Sequence, residues 1–475
     1  MDVKSYIDSN KELFIKVNDQ IWEYAETRFE EYKSAELLEQ VLAEHGFTVK
    51  KNLAGMETAF VAEYGSGQPV IGILGEYDAL SGLSQQGGSI VRQPIVDGAP
   101  GHGCGHNTLG AASLAAAMAV KEYLEQSKSA GTIRYYGCPG EEGGSGKAYM
   151  AREGLFDDLD AALTWHPGGY NAIMALSSLA NFQVYYRFHG RAAHAAGAPH
   201  LGRSALDAVE LMSVGVNYLR EHVIPEARMH YAITNTGGTA PNVVQAEAEV
   251  LYLMRAPELS YVQEMYQRIN DIARGAALMT GTQVEIIFDK ACSNYIPNHT
   301  LGKVLLKYLT EVVAENSYTP QEISFADKIG QTFPKSGSAL KKFLPLLDEE
   351  GQALVREIEK SRLSNKTLPY LKMASPMAGS TDVGDVSWVT PTAQFAAACC
   401  ALGTPGHSWQ FVSQNNTSIA HKGLLIAGKT LALSAIEMLE NPQILKEAQT
   451  ELLKQLNGQK YTCPIPKEVN PAVHR

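Results

Sequence analysis

The chain of 475 residues is longer than one hydrophobic core supports, and its 45% hydrophobic and 19% charged residues are those of a globular protein of two domains. Its 51 acidic residues outnumber its 40 basic ones, and the net charge of −11 repels nucleic-acid phosphate and anionic membrane, so neither is expected as a partner. Six scattered cysteines and a charged opening stretch without an apolar run point to reduced thiols, no membrane span and a cytoplasmic protein.

Apolar residues at helical spacing predict one helix from about Val17 to His45, stopped by Gly46. Two strands follow, TAFVAEYG and PVIGILGEYDAL, the second apolar enough for the centre of a sheet. A glycine-rich loop from Gly82 to Gly105 leads into an alanine-rich helix, TLGAASLAAAMAVKEYLEQ. Strand TIRYYGCP, loop GEEGGSGK, helix AYMAREGLF and strand AALTWHP continue the alternation. It predicts an α/β fold with a mixed, mostly parallel sheet flanked by helices. After Ser178 come four amphipathic strands, NFQVYYRFHGR, EARMHYAITNTGG, EAEVLYLMRA and GTQVEIIFDKA, with two helices among them, SALDAVELMSVGVNYLREHV and LSYVQEMYQRINDIARGAAL. That order predicts a compact α+β unit inserted in the larger domain. The expected division is 1–178 and 294–475 for the main domain and 179–293 for the insert. From Asn298 onward helices and loops return, with a helical excursion between Phe325 and Met377 and a final helix from about Ser418 to Leu439.

Four polar clusters fall at the end of a predicted strand or in the loop just after it, where an open α/β sheet presents ligands. GEYDAL places Glu76 and Asp78 two residues apart, so that in an extended segment both share a face; a pair of solvated loop carboxylates is the plainer alternative. GHGCGHN puts Cys104 and His106, a thiolate and an imidazole, into a glycine loop that admits close approach, a pairing suited to zinc or manganese. His102 is a third donor there and reads equally well as a support. GCPGEEGG sets Glu141 beside Glu142 in a loop where no helix explains them. A metal enzyme divides such a pair, one carboxylate on metal and the other moving protons. His166 in TWHPGG and His407 in GTPGHSW are lone histidines, structural by default, that gain weight only beside the other clusters.

These motifs, in this order and over nearly the whole chain, resemble the aminoacylase and carboxypeptidase-type two-metal peptidases. The match is to the amidohydrolase branch with a cysteine ligand, which includes hippurate and auxin-conjugate hydrolases. The resemblance implies two divalent ions, Mn2+ or Zn2+, held by Cys104, His106, Glu142, His166 and His407, with Glu141 as general base and Asp78 supporting the metal site. Glu76 stands where many relatives have a ligating histidine, a departure that leaves its own metal role open, and Asp382 in GSTDVGD resembles a residue behind the ligands. The insert resembles the family's lid and dimerisation domain. There His194 matches a histidine that reaches into the partner's active site, and Asn242 and Arg255 match substrate-binding positions. The implied activity is hydrolysis of an N-acyl amino acid at its amide bond, with p-aminobenzoyl-glutamate the first substrate expected. The implied assembly is a homodimer or a heteromer with a related subunit. A dipeptidase or general N-acyl-amino-acid hydrolase would use the same machinery. A non-catalytic metal-binding subunit would need no spare carboxylate such as Glu141, and a cysteine hydrolase built on Cys104 would work without metal.

Overall fold

A computed structural model describes residues 2–334, 340–371 and 376–473. They fall into two compact units: Met1–Leu176, Ile296–Ser375 and Val386–Thr462 form the first, and Ser177–Tyr295, Pro376–Asp385 and Cys463–Arg475 the second.

The first unit opens with α1 (Val3–Ser9), α2 (Lys11–Tyr24) and α3 (Tyr32–Glu44). The single helix expected from Val17 to His45 is therefore broken at residues 25–31. Ala25 and Phe29 take left-handed backbone conformations there, with φ of 45° and 60°. Ala79 N donates to Glu26 O at 2.8 Å, a tertiary bond that a continuous helix would forgo. Next come β1 (Thr48–Lys51), β2 (Phe60–Ser66), β3 (Val70–Gly75), α4 (His106–Ser127), β4 (Gly131–Gly137), α5 (Gly146–Arg152), β5 (Ala161–Gly168) and β6 (Ala172–Ile173).

The second unit holds β7 (Ala180–His189), α6 (Ala205–Leu219), β8 (Arg228–Asn235), β9 (Glu247–Ala256), α7 (Leu259–Thr280) and β10 (Gln283–Cys292). Its four strands form one antiparallel sheet in the order β10-β7-β9-β8. Along β9 buried residues alternate with more exposed ones, the period-2 pattern of a sheet with one covered face.

The chain continues through α8 (His299–Ala314), α9 (Pro320–Gly330), a 3-10 turn at Lys341–Leu346, α10 (Glu349–Ile358), α11 (Val383–Ser387), β11 (Thr392–Ala398), α12 (Trp409–Gln414), α13 (Ser418–Glu440) and α14 (Pro442–Leu456). Parts of the expected excursion, 335–339 and 372–375, lie outside the described residues. The helix expected to end the chain is followed by α14, whose Pro442 at the first turn is an ordinary helix start.

The sheet of the first unit has the order β1-β2-β4-β3-β5-β11-β6, with β4, β3, β5 and β11 mutually parallel. This is the mostly parallel α/β architecture expected. Every residue of β3 is buried. α4 buries Ala111, Ala112, Ala115, Ala116, Ala117 and Ala119, small side chains that let it lie close to its neighbours. Ser113 Oγ donates to Leu74 O at 2.8 Å and Trp165 Nε1 to Leu109 O at 3.2 Å, so the start of α4 is pinned beside the ends of β3 and β5. α13 joins the same core. By length and composition alone α13 could cross a bilayer, contrary to the expectation that no stretch would, but 72% of its apolar window is buried within the protein.

Candidate metal centre

The carboxyl ends of the parallel strands converge on one place. β3 runs out into Glu76 and Asp78, β4 into Glu141 and Glu142, β5 carries His166 near its end, and His407 follows β11. Cys104 and His106 stand at the start of α4. Gly105 between them has φ +83°, and a Cβ there would come within 3.0 Å of Pro167 and 3.1 Å of Phe411, so any side chain at this turn would be strained and crowded.

His106 and His166 are each held by one ring nitrogen. His106 is fully buried, and its Nδ1 lies 2.7 Å from Asp78 Oδ1. Nδ1 thus donates to Asp78, which leaves Nε2 as the nitrogen that would give a metal its lone pair once its proton is displaced. That Nε2 is buried without a hydrogen-bond partner, 3.2 Å from Glu76 Oε2 and 4.0 Å from Glu141 Oε2. His166 is set the same way: Nδ1 is 2.8 Å from Pro167 O, and Nε2 is 3.3 Å from Cys104 Sγ. His407 Nε2 stands 3.3 Å from Glu142 Oε1. Asp78 also accepts from Glu142 N at 2.8 Å through its second oxygen, so one carboxylate fixes both a histidine and a glutamate backbone.

The donor atoms of Cys104, His106 and His166 lie within 4.8 Å of one another, as do those of Cys104, Glu142 and His407, and those of Glu76, His106 and Glu141. Two donors sharing one ion at bond lengths of about 2.0–2.3 Å stand about 3.3–3.7 Å apart. The Cys104–His166 and His407–Glu142 separations, both 3.3 Å, are of that size. Thiolate, imidazole and carboxylate together fit a divalent transition metal, and the orphaned Nε2 of His106 supplies the lone pair such an ion needs.

The electrostatics agree. Burial opposes a charge on His106, yet Asp78, Cys104 and Glu76 hold its pKa well above the ordinary value. A field that draws a proton so strongly also draws a metal cation. Burial, and then the charge of Glu142, pushes the Cys104 thiol well up. Burial opposes ionisation of Glu142, but His407 and His106 bring it down to about 2. Burial, then the charge on His106, lowers His166.

His102 is used elsewhere: its Nε2 lies 2.9 Å from Ile21 O in α2, and burial lowers its pKa to about 4, which keeps it neutral. Lys147 is a buried cation that the sequence showed only as the end of a glycine-rich loop. Its Nζ is 2.6 Å from Glu76 Oε1, and both side chains are almost wholly buried. His194, Asn242, Arg255 and Asp382 belong to the second unit. There Ala195 N donates to Asn242 O at 3.0 Å, which brings the His194 and Asn242 loops together.

A parallel sheet that gathers thiolate, imidazole and carboxylate donors at its strand ends, with a further carboxylate alongside, has the make-up of a metal-dependent hydrolase of amide bonds. The chain belongs to peptidase family M20/M25/M40, whose model matches residues 73–433. It is 51% identical over 468 residues to one of the subunits of p-aminobenzoyl-glutamate hydrolase of Escherichia coli (strain K12), a match covering 98% of this chain and 97% of that one. Among solved structures it resembles an aminobenzoyl-glutamate utilization protein from Klebsiella pneumoniae, with a TM-score of 0.62 at 17% identity, covering 92% of this chain and 98% of that one. It also resembles a dinuclear metal-binding peptidase from Bacillus subtilis, with a TM-score of 0.55 at 16% identity over 91% and 99% of the two chains. The two structures show that the fold is shared.

Proposed function

We propose that this chain hydrolyses p-aminobenzoyl-glutamate to p-aminobenzoate and glutamate with two divalent ions, manganese or zinc. The observation that carries the reaction is the pairing of Glu141 and Glu142 at one strand end, where each joins a donor triad, Glu142 with Cys104 and His407 and Glu141 with Glu76 and His106. The substrate rests on the name of the relative that is 51% identical. Cys104 is common to the triads with His106 and His166 and with Glu142 and His407, so its thiolate would be a donor from either group.

Bound at Cys104, His106, Glu142, His166 and His407, the ions supply Lewis-acid polarisation of the amide carbonyl and a lowered pKa for water. Glu141 takes the proton of the attacking water and delivers it to the leaving amine. His194 accepts from the amides of Ala196 and Gly197 at Nδ1, at 3.2 and 3.0 Å, which leaves Nε2–H as its donor, and by the family resemblance that donor would serve the developing oxyanion in a partner's active site. Arg255, whose Nε is buried without a hydrogen-bond partner, and Asn242 hold the substrate carboxylate. The assembly is a homodimer or a heteromer with a related subunit, in keeping with a relative whose name is that of one subunit of a hydrolase, and it works in the cytoplasm.

The test is chelator-stripped protein reconstituted with manganese or zinc and assayed alone on p-aminobenzoyl-glutamate, hippurate and a dipeptide panel. Metal-dependent turnover, highest on the first, is expected. Activity only with an added second subunit would make this chain a non-catalytic component, and chelator-insensitive activity would move the chemistry to Cys104. Glu141→Gln is expected to lower kcat by about 10²–10⁴-fold with metal retained. Near-normal turnover in that variant removes Glu141 as the base.

A further inference from the structure

Where the chain leaves helical geometry at residues 25–31, it lies against the loop that carries Glu141. The carboxyl of Glu31, fully buried, accepts from Gly140 N at 2.8 Å and from Thr58 Oγ1 at 3.0 Å. The Phe29 ring packs beneath Gly140 and Gly144, where an added Cβ would come within 2.8 and 2.3 Å of ring atoms. Arg28 donates to Gly143 O. Phe29 makes this contact from a left-handed backbone conformation that bulky residues seldom adopt, so the packing around it is strong enough to hold it there. On the other side of Glu141, the buried Asp78 accepts from Glu142 N at 2.8 Å. The amides on both sides of Glu141 are therefore held by buried carboxyl groups from different parts of the chain.

We propose that Glu31 is a positioning residue which, opposite Asp78, fixes the Gly140–Glu142 backbone and so sets the direction of Glu141. The inference rests on the reading of Glu141 as the base. It concerns a segment that precedes the residues matched by the family model, 73–433. A helix running unbroken through residues 25–31 would withdraw the groups that hold the loop, which gives the break a purpose. Burial, and next the charge of Asp78, pushes the Glu31 carboxyl well above the usual range, and glutamine keeps the length and volume of the side chain. Its amide oxygen can take the Gly140 N–H while its NH2 donates to Thr58 Oγ1.

The experiment compares metal-loaded wild type, Glu31→Ala and Glu31→Gln by hydrogen–deuterium exchange over residues 138–146, by kcat and KM, and by metal per chain. Glu31→Ala is expected to exchange faster in that segment and to lose about 10–100-fold in kcat, the usual cost of a catalytic group misplaced by about 1 Å. KM and metal content should stay within about twofold of wild type, and Glu31→Gln should recover most of the kcat. Wild-type exchange or wild-type kcat in Glu31→Ala overturns the proposal, and so does an equal loss in both variants. If Glu31→Ala does not fold, Arg28→Ala loosens the same loop at Gly143 and should speed the same exchange; unchanged exchange there overturns the proposal as well. Glu141→Gln with normal turnover would sink the base reading by itself, because loop exchange reports the clamp independently of it.

Discussion

Asp78→Asn changes the hydrogen-bonding sense of one atom in the centre and almost none of its volume. Both oxygens of Asp78 accept, one from His106 Nδ1 at 2.7 Å and the other from Glu142 N at 2.8 Å. Asparagine offers one acceptor and one donor. With its oxygen toward His106, its NH2 faces the Glu142 N–H, and two donors meet at bonding distance. Turned over, the NH2 faces Nδ1, and His106 must carry its proton on Nε2, the nitrogen whose lone pair a metal requires. Either arrangement forfeits one charge-assisted bond, about 1.5–3 kcal/mol, or about 10–150-fold in an equilibrium constant. Both arrangements disturb a metal donor, so divalent-metal affinity is expected to fall by about 10–100-fold, the range typical of groups that orient ligands. Competition against a chromogenic chelator reads this directly, with metal per chain after dialysis as the second measure. An Asp78→Asn protein that binds metal within about twofold of wild type would refute the reasoning, since no arrangement of the amide satisfies both donors.

Cys104→Ala removes the donor shared by two triads, and metal analysis should find at most one ion per chain; a full complement would take Cys104 out of the cluster. Metal affinity should rise with pH. The raised pKa values of His106 and Cys104 mean that both hold protons which a metal must displace, and calorimetry in buffers of different ionisation enthalpy should detect that release. Affinity flat between about pH 6 and pH 8 would contradict this. Lys147→Met leaves Glu76 buried without its cation and should destabilise the metal-free protein by about 3–5 kcal/mol in denaturant unfolding. The loss should be smaller with metal bound, because a cation beside His106 offsets the same charge; equal losses in the two forms would show that Glu76 does not sense the metal.

The strand ends were legible because their chemistry is local. An apolar strand running into GEYDAL, GCPGEEGG or TWHPGG announces both the element and the place where its side chains emerge. The break at residues 25–31 was not legible, because it carries no glycine or proline and Phe29 is buried in phase with the apolar pattern around it. The forces that open the helix there lie far away in sequence, at Ala79, Gly140 and Gly143. Lys147 misleads for a related reason: a lysine in a glycine-rich loop reads as solvated, and only the position of Glu76 shows why it is buried. His102 and His106 show where the limit falls. They are four residues apart in one motif, yet one ring is tied to Ile21 O and the other to Asp78. The left-handed turn at Gly105 lies between them, so His106 begins α4 at the strand ends while His102 remains in the loop against α2. The glycine is visible in the sequence, but the direction it gives each imidazole depends on which strand ends and which helix lie on either side.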